Sequence, residues 1–155
     1  MVRITLHING AAHEVEVDPS TPLIYVLRNE LGLTGAKLGC GLEQCGSCAV
    51  LVDGTVQKSC VAPVAQFEGA EIVTVEGLAE DNGPGPVQRA FIEEAATQCG
   101  YCTPGLVVAV EALRRRKTVP DAAAVREALA GHLCRCGTHA AVLRATERVL
   151  RERGG

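Results

Sequence analysis

Aromatic residues are nearly missing from this chain: its 155 residues include two Tyr, two Phe and no Trp. Any core must therefore be built from Val, Leu, Ile and Ala. Neither sign of charge dominates. The formal net charge is −3, and no basic stripe of the kind that tracks nucleic acid runs along the chain. Nucleic acid is therefore not an expected partner. No apolar run approaches the roughly 18 residues of a membrane-spanning helix, so no membrane span is expected. The start, Met1-Val2-Arg3-Ile4-Thr5-Leu6, alternates apolar and polar residues like a strand. It has neither the apolar stretch of a signal peptide nor a twin-Arg signal. These absences point to a cytoplasmic chain, where paired cysteines are more often metal ligands than disulfides.

What the chain does have is cysteine, eight in all, in two quartets. Cys40, Cys45 and Cys48 form a C-x4-C-x2-C loop that Cys60 completes. This is the plant-type ferredoxin spacing, and four thiolates are what one [2Fe–2S] cluster needs. Gly39, Gly41 and Gly46 let the backbone curl tightly, because glycine tolerates positive φ. The curl also turns N–H groups toward the sulfurs, which tunes the reduction potential. Zinc accepts four thiolates too, although zinc sites usually pair one C-x2-C with another.

The second quartet is Cys99 and Cys102, a C-x2-C, closed by Cys134 and Cys136, a C-x-C. By itself Cys99-Gly100-Tyr101-Cys102 also suits a thioredoxin-like redox pair or half a zinc site. Both C-terminal pairs stand just before expected helix starts, where the helix dipole favours thiolates and an anionic cluster. No other residue set looks catalytic, so no catalytic residue is assigned. The cysteines suggest a carrier of electrons.

The local patterns divide at about residue 76. Val2 to Ile8 and Val15 to Val17 read as a hairpin around Asn9-Gly10. Ser20 or Thr21 can cap a helix that starts at Pro22 and ends at Gly32. Ala49 to Val52 and Val56 to Cys60 read as a second hairpin around Asp53-Gly54, and Ile72 to Val75 as a further strand. Glu80 to Pro86 is turn-rich and marks a boundary. Beyond it the period is helical: Val87 to Ala96 with Phe91 and Ile92 inward, Thr103 as a cap for a helix to Leu113, Thr118 to Asp121 opening a helix to about Ala130, and Thr138 capping a last helix to Leu150. Two helix–cysteine-turn–helix units would bring the second quartet together. The fold class is α+β. Residues 1–76 are the expected ferredoxin domain and 77–155 the expected helical domain.

With both quartets in view, the chain resembles the small iron–sulfur subunit of the molybdenum hydroxylase (xanthine dehydrogenase/aldehyde oxidoreductase) family. The motifs that carry this are Gly39-Cys40-Gly41 with Cys45-Gly46-Ser47-Cys48, Gln98-Cys99-Gly100-Tyr101-Cys102-Thr103-Pro104-Gly105, and Leu133-Cys134-Arg135-Cys136-Gly137-Thr138. The resemblance implies an N-terminal β-grasp plant-type [2Fe–2S] ferredoxin domain and a C-terminal all-α four-helix domain, with one cluster in each. It implies a large partner subunit that binds molybdenum with a pyranopterin and oxidises the substrate. Electrons would leave singly through the helical-domain cluster, then the ferredoxin-domain cluster, to an acceptor on an FAD subunit or a cytochrome. Gln98 would hydrogen-bond the pyranopterin and Cys136 would lie against it. Phe91-Ile92-Glu93-Glu94 and Cys136-Gly137-Thr138-His139 look most like the nicotinate- and isoquinoline-type hydroxylases, which implies an N-heterocycle or aldehyde substrate.

Other candidates read blandly. His132 and His139 flank the C-x-C but are expected as packing or surface residues, and His7 and His13 carry no signal. Arg114 to Lys117 suit a helix C-terminus, or a docking patch for an acidic partner. Tyr25 and Tyr101 could line electron paths or simply pack. Two rivals to the subunit reading are a free two-cluster ferredoxin and a zinc-stapled adaptor. A subunit differs from a free ferredoxin in exposing an apolar face.

Overall fold

Two tight turns organise the sheet. Asn9 and Gly10 have φ of +52° and +80°, and Asp53 and Gly54 have φ of +48° and +80°. Positive φ at both central residues gives the turn whose twist matches that of paired strands. The first turn joins β1 (Val2–Ile8) to β2 (Ala11–Val17), with Val2 opposite Val17 and Ile8 opposite Ala11. The second joins β3 (Ala49–Val52) to β4 (Thr55–Lys58). The computed structural model describes residues 1–154.

β5 (Glu71–Val73) lies between the hairpins, parallel to β1 and antiparallel to β3, giving the order β2-β1-β5-β3-β4. Asn9 locks the first turn onto β5. Its Nδ2 donates to Thr74 Oγ1 at 2.9 Å, and its Oδ1 accepts from the Thr74 N–H at 2.9 Å.

β3 is buried along its whole length. Successive side chains of a strand point to opposite faces. Val50 and Val52 pack with Ile4, Leu6, Ile8 and Leu27, while Ala49 and Leu51 pack with Leu106 and Val110 of the helical half. The sheet therefore carries one apolar layer on each face, and the helices cover the second.

The helices are α1 (Leu23–Tyr25), α2 (Pro86–Glu93), α3 (Thr103–Arg114), α4 (Ala122–Leu129) and α5 (His139–Gly154). α1 continues into a π-helical turn, Val26–Glu30. No helix among the described residues is long and apolar enough to cross a membrane. α3 buries eight residues, among them Glu111, which is 3% exposed. Burial would push that carboxyl up, but Arg114 holds it with two hydrogen bonds of 2.9 Å and Arg115 with one of 2.7 Å. Their net effect is to keep it below its ordinary value. Two residues of the basic run are thus committed to a buried carboxylate.

Several local expectations are corrected. Ile92 does not face inward: it is 66% exposed. Val87, Ala90 and Phe91 fill the apolar stripe of α2, and position 92 falls outside a stripe built on i, i+3 and i+4. The same helix stops short of Ala96. Ala95 takes φ of +49° and the Ala96 N–H donates to the Phe91 carbonyl at 2.9 Å, a left-handed terminus usually given to glycine. Ser20 and Thr21 do not cap α1, whose N-cap is Pro22. Asp121 does cap α4, accepting from the Ala124 N–H at 2.8 Å. α5 runs past Leu150 to Gly154, with Arg148 and Arg144 reaching Glu94 at 2.6 and 3.3 Å.

Leu51 is fully buried where β3 meets α3. Leu51→Ala should cost about 2–5 kcal/mol, read as a lower urea midpoint. An unmoved midpoint would show that α3 closes over the gap.

Candidate metal centres

The loop that carries Cys40, Cys45 and Cys48 has no regular structure and turns through positive φ at Gly41 (+65°), Glu43 (+57°) and Gly46 (+80°). This folds the backbone around one sulfur. Cys40 Sγ accepts N–H bonds from Leu42 at 3.3 Å, Gln44 at 3.2 Å and Cys45 at 3.4 Å. Those donors, led by Leu42, bring the Cys40 thiol down to about 6. The Cys40 N–H donates in turn to Cys45 Sγ at 3.4 Å. A Cβ at Gly39 would lie 2.6 Å from that same sulfur and would push it aside.

Cys48 and Cys60 form the other half. Ala49 pairs with Lys58 across the second hairpin, and this register sets Cys48 beside the Ser59–Cys60 segment. Ser59 Oγ donates to the Cys48 carbonyl at 2.7 Å. Both cysteines are buried, against Ile24 and Leu38. Burial, then the neighbouring Cys60, pushes the Cys48 thiol up to about 11. Lys58 brings a cation to the loop, its Nζ donating to the Glu43 carbonyl at 2.6 Å.

The second quartet is assembled by two turns at helix starts. Gly100 (φ +85°) shapes the Cys99–Cys102 turn ahead of α3, and Gly137 (φ +80°) follows the Cys134–Cys136 turn ahead of α5. Cys102 is pushed up to about 11 by burial first, then by Cys134, with the charge of Cys99 adding to it. Burial also works against Cys134, but the Thr138 hydroxyl at 3.0 Å, the Thr138 N–H, the Cys102 thiol and the Cys136 N–H bring it down to about 6. Cys99 and Cys136 are exposed. Gln98 is exposed beside Cys99.

Thiols neighbour one another at three places: Cys40 by Cys45, Cys48 by Cys60, and Cys102 by Cys134, with Cys99 also near it. Among the described residues, no three His, Cys, Asp or Glu side chains converge as one metal ion would require. Two sets of four cysteines, one on a loop curled around Cys40 and one on two turns at helix starts, supply the four thiolates that a [2Fe–2S] cluster takes.

The two sites share a seam. The Leu133 N–H, next to Cys134, donates to the carbonyl of Cys45 at 2.9 Å. The Tyr101 hydroxyl donates to the Leu38 carbonyl at 2.5 Å. A Cβ at Gly105 would overlap the Gly46 carbonyl oxygen, and one at Gly46 would sit 2.5 Å from His132 Nδ1. Glycine at both positions permits this approach. His132 is buried in the seam. Burial, then the charge of Lys58, brings it down to about 4, so it is neutral.

Sequence reasoning read two threonines as helix caps. Thr138 instead gives its hydroxyl to Cys134, and Thr103 pairs its hydroxyl with Thr97 at 2.7 Å. The seam bonds of Tyr101 and Leu133 have no signature in the sequence, because their partners lie far along the chain.

Two family models match. A "2Fe-2S iron-sulfur cluster binding domain" covers residues 6–77, and a "[2Fe-2S] binding domain" covers 74–147. One subunit of the nicotinate dehydrogenase of Pseudomonas putida is 47% identical over 97% of this chain and 96% of its own length. Among solved structures, a chain of quinoline 2-oxidoreductase from Pseudomonas putida superposes with a TM-score of 0.90 at 37% identity, over 97% of this chain and 94% of that one. The aldehyde oxidoreductase of Desulfovibrio desulfuricans gives a TM-score of 0.92 at 36% identity, over 99% of this chain but 17% of that one.

Cys45→Ser should abolish or distort one iron–sulfur EPR signal and leave the other, since the two quartets use separate turns. Two unaltered signals would remove Cys45 from the first site.

Proposed function

The chain belongs to the iron–sulfur small subunits of the molybdenum hydroxylase (xanthine dehydrogenase/aldehyde oxidoreductase) family, and from that membership we propose how its residues carry out electron transfer. Cys40, Cys45, Cys48 and Cys60 hold one cluster in the ferredoxin unit, residues 1–76, built as a β-grasp. Cys99, Cys102, Cys134 and Cys136 hold the other in a four-helix unit, residues 77–155. Each [2Fe–2S] cluster, when bound, accepts and releases one electron at a time. The observation that carries this reading is the neighbouring of thiols from each quartet at two places that share one seam.

The protein's part is to hold, shield and connect. N–H donors on Cys40 and Cys134 stabilise their thiolate forms, which ligation requires. Cys48 is buried and Cys102 half-buried, each beside a second cysteine, a crowding that a cationic centre would relieve. From Cys45 Sγ through its carbonyl, across the hydrogen bond from Leu133 and on to Cys134 Sγ, a chain of covalent bonds broken by that one hydrogen bond links the two ligand sets. No substrate chemistry is assigned to any residue here.

The order of transfer is the one family membership implies, and the exposed surfaces support it. A groove of about 720 Å³ beside the second quartet is lined by Phe91, Ile92, Gly100, Thr103, Pro104 and Val107, with Ile92 exposed. Tyr101 and Leu133 add exposed apolar surface at 48% and 57%. A free ferredoxin has no use for such a face, whereas a subunit docks through it. This side faces the large molybdopterin subunit, with Gln98 hydrogen-bonded to the pyranopterin and Cys136 against it. Cys40 and the 67% exposed Leu42 mark the exit edge, toward a flavin or a cytochrome. The substrate is an N-heterocycle or an aldehyde. The cytoplasm is the compartment this reading proposes, because ligation needs reduced thiols.

Metal analysis and low-temperature EPR of the dithionite-reduced protein test the reading. About four irons per chain and two S = 1/2 signals are expected for two such clusters; zinc in either site, or a single signal, would refute it. Gln98→Ala should keep both signals while substrate reduces the clusters more slowly in the assembled enzyme. Unaltered reduction kinetics would take Gln98 out of the site.

A further inference from the structure

Main-chain contacts make most of the seam between the two cysteine loops, and one exposed side chain adds to it. Tyr101 stands inside the Cys99–Cys102 turn. Its hydroxyl reaches the Leu38 carbonyl, 63 positions away in sequence, at 2.5 Å. Leu38 precedes Cys40 by two residues, and its side chain packs against Ile24, Cys48 and Cys60. The Tyr101 ring is 48% exposed, so core burial does not explain where it lies. The Leu133 N–H makes the companion bond, from the Cys134–Cys136 turn to Cys45. Each turn of the second quartet is therefore tied once to the first loop, one ahead of Cys40 and one at Cys45.

We propose that Tyr101 is a positioning residue: its hydroxyl pins the second cysteine turn onto the first loop and fixes the spacing of the two electron-carrying sites. The spacing role rests on the two-cluster reading. The pin itself rests only on the hydrogen bond. With the bond made, the loops hold one separation. With it lost, one hydrogen bond fewer resists their parting, and the seam opens more often. Electron transfer between the sites then draws on a spread of separations.

Tyr101→Phe keeps the ring and removes only the hydroxyl. Hydrogen–deuterium exchange on the cluster-loaded chain reads the pin through the Leu133 amide. Its exchange should quicken about fivefold, the change in an opening equilibrium expected for one net hydrogen bond. Amides in the middle of α5 and in the β1–β2 ladder should keep their rates. The spin–spin interaction between the two reduced centres in EPR should broaden, with the iron content unchanged. Unchanged Leu133 exchange, or an unchanged inter-centre interaction, overturns the proposal. Iron loss in the variant also overturns it, because Tyr101 would then serve cluster binding. If the unsubstituted chain lacks one of the two clusters, the cluster reading fails and the spacing role with it, while the exchange measurement still decides whether the pin exists.

Discussion

Gathering thiolates against their mutual repulsion is the constraint behind the rest of this structure. Two unit charges about 4 Å apart repel by roughly 4 kcal/mol at an effective dielectric of 20. Burial, neighbouring thiols and N–H donors set these groups apart. Cys48 and Cys102, each beside another cysteine and partly out of water, are pushed up to about 11, while Cys40 and Cys134 come down to about 6. With a cluster bound, iron supplies the missing positive charge. Binding of this kind adds to folding free energy, a useful contribution where aromatic core residues are so few.

The backbone answers the same constraint with oriented donors. Three N–H groups of one loop reach Cys40, and helix starts stand behind Cys102 and near Cys134. Glycines make these arrangements possible at the two points where space decides. Gly39 lets the loop pass Cys45 Sγ, and Gly105 lets α3 press against the Gly46 carbonyl. A Cβ at Gly105 would meet a backbone oxygen, and one at Gly39 would push the Cys45 sulfur aside.

Fold and relay also share parts. β3 has one set of side chains in each apolar layer, so the sheet and the helices are mechanically joined through it. Its N-terminal neighbour is Cys48, and its partner strand leads to Cys60. Movement of the helical layer would therefore reach the first thiol site through the strand itself, and through the seam at Cys45 and Leu38.

Features that depend on near neighbours were legible in the order of residues alone. Asn9-Gly10 and Asp53-Gly54 form the two hairpin turns expected of them, and Asp121 caps α4. These features act over a few residues, where the chain has little freedom to do otherwise. Features that depend on residues far apart were settled only by packing. Packing chose which thiols become neighbours, spent the Thr103 and Thr138 hydroxyls on Thr97 and Cys134 instead of on caps, turned Ile92 outward, and set Tyr101 and Leu133 across the seam. A polar side chain takes the best partner within reach, and for these residues that partner comes near only after the sheet and the helices have come together.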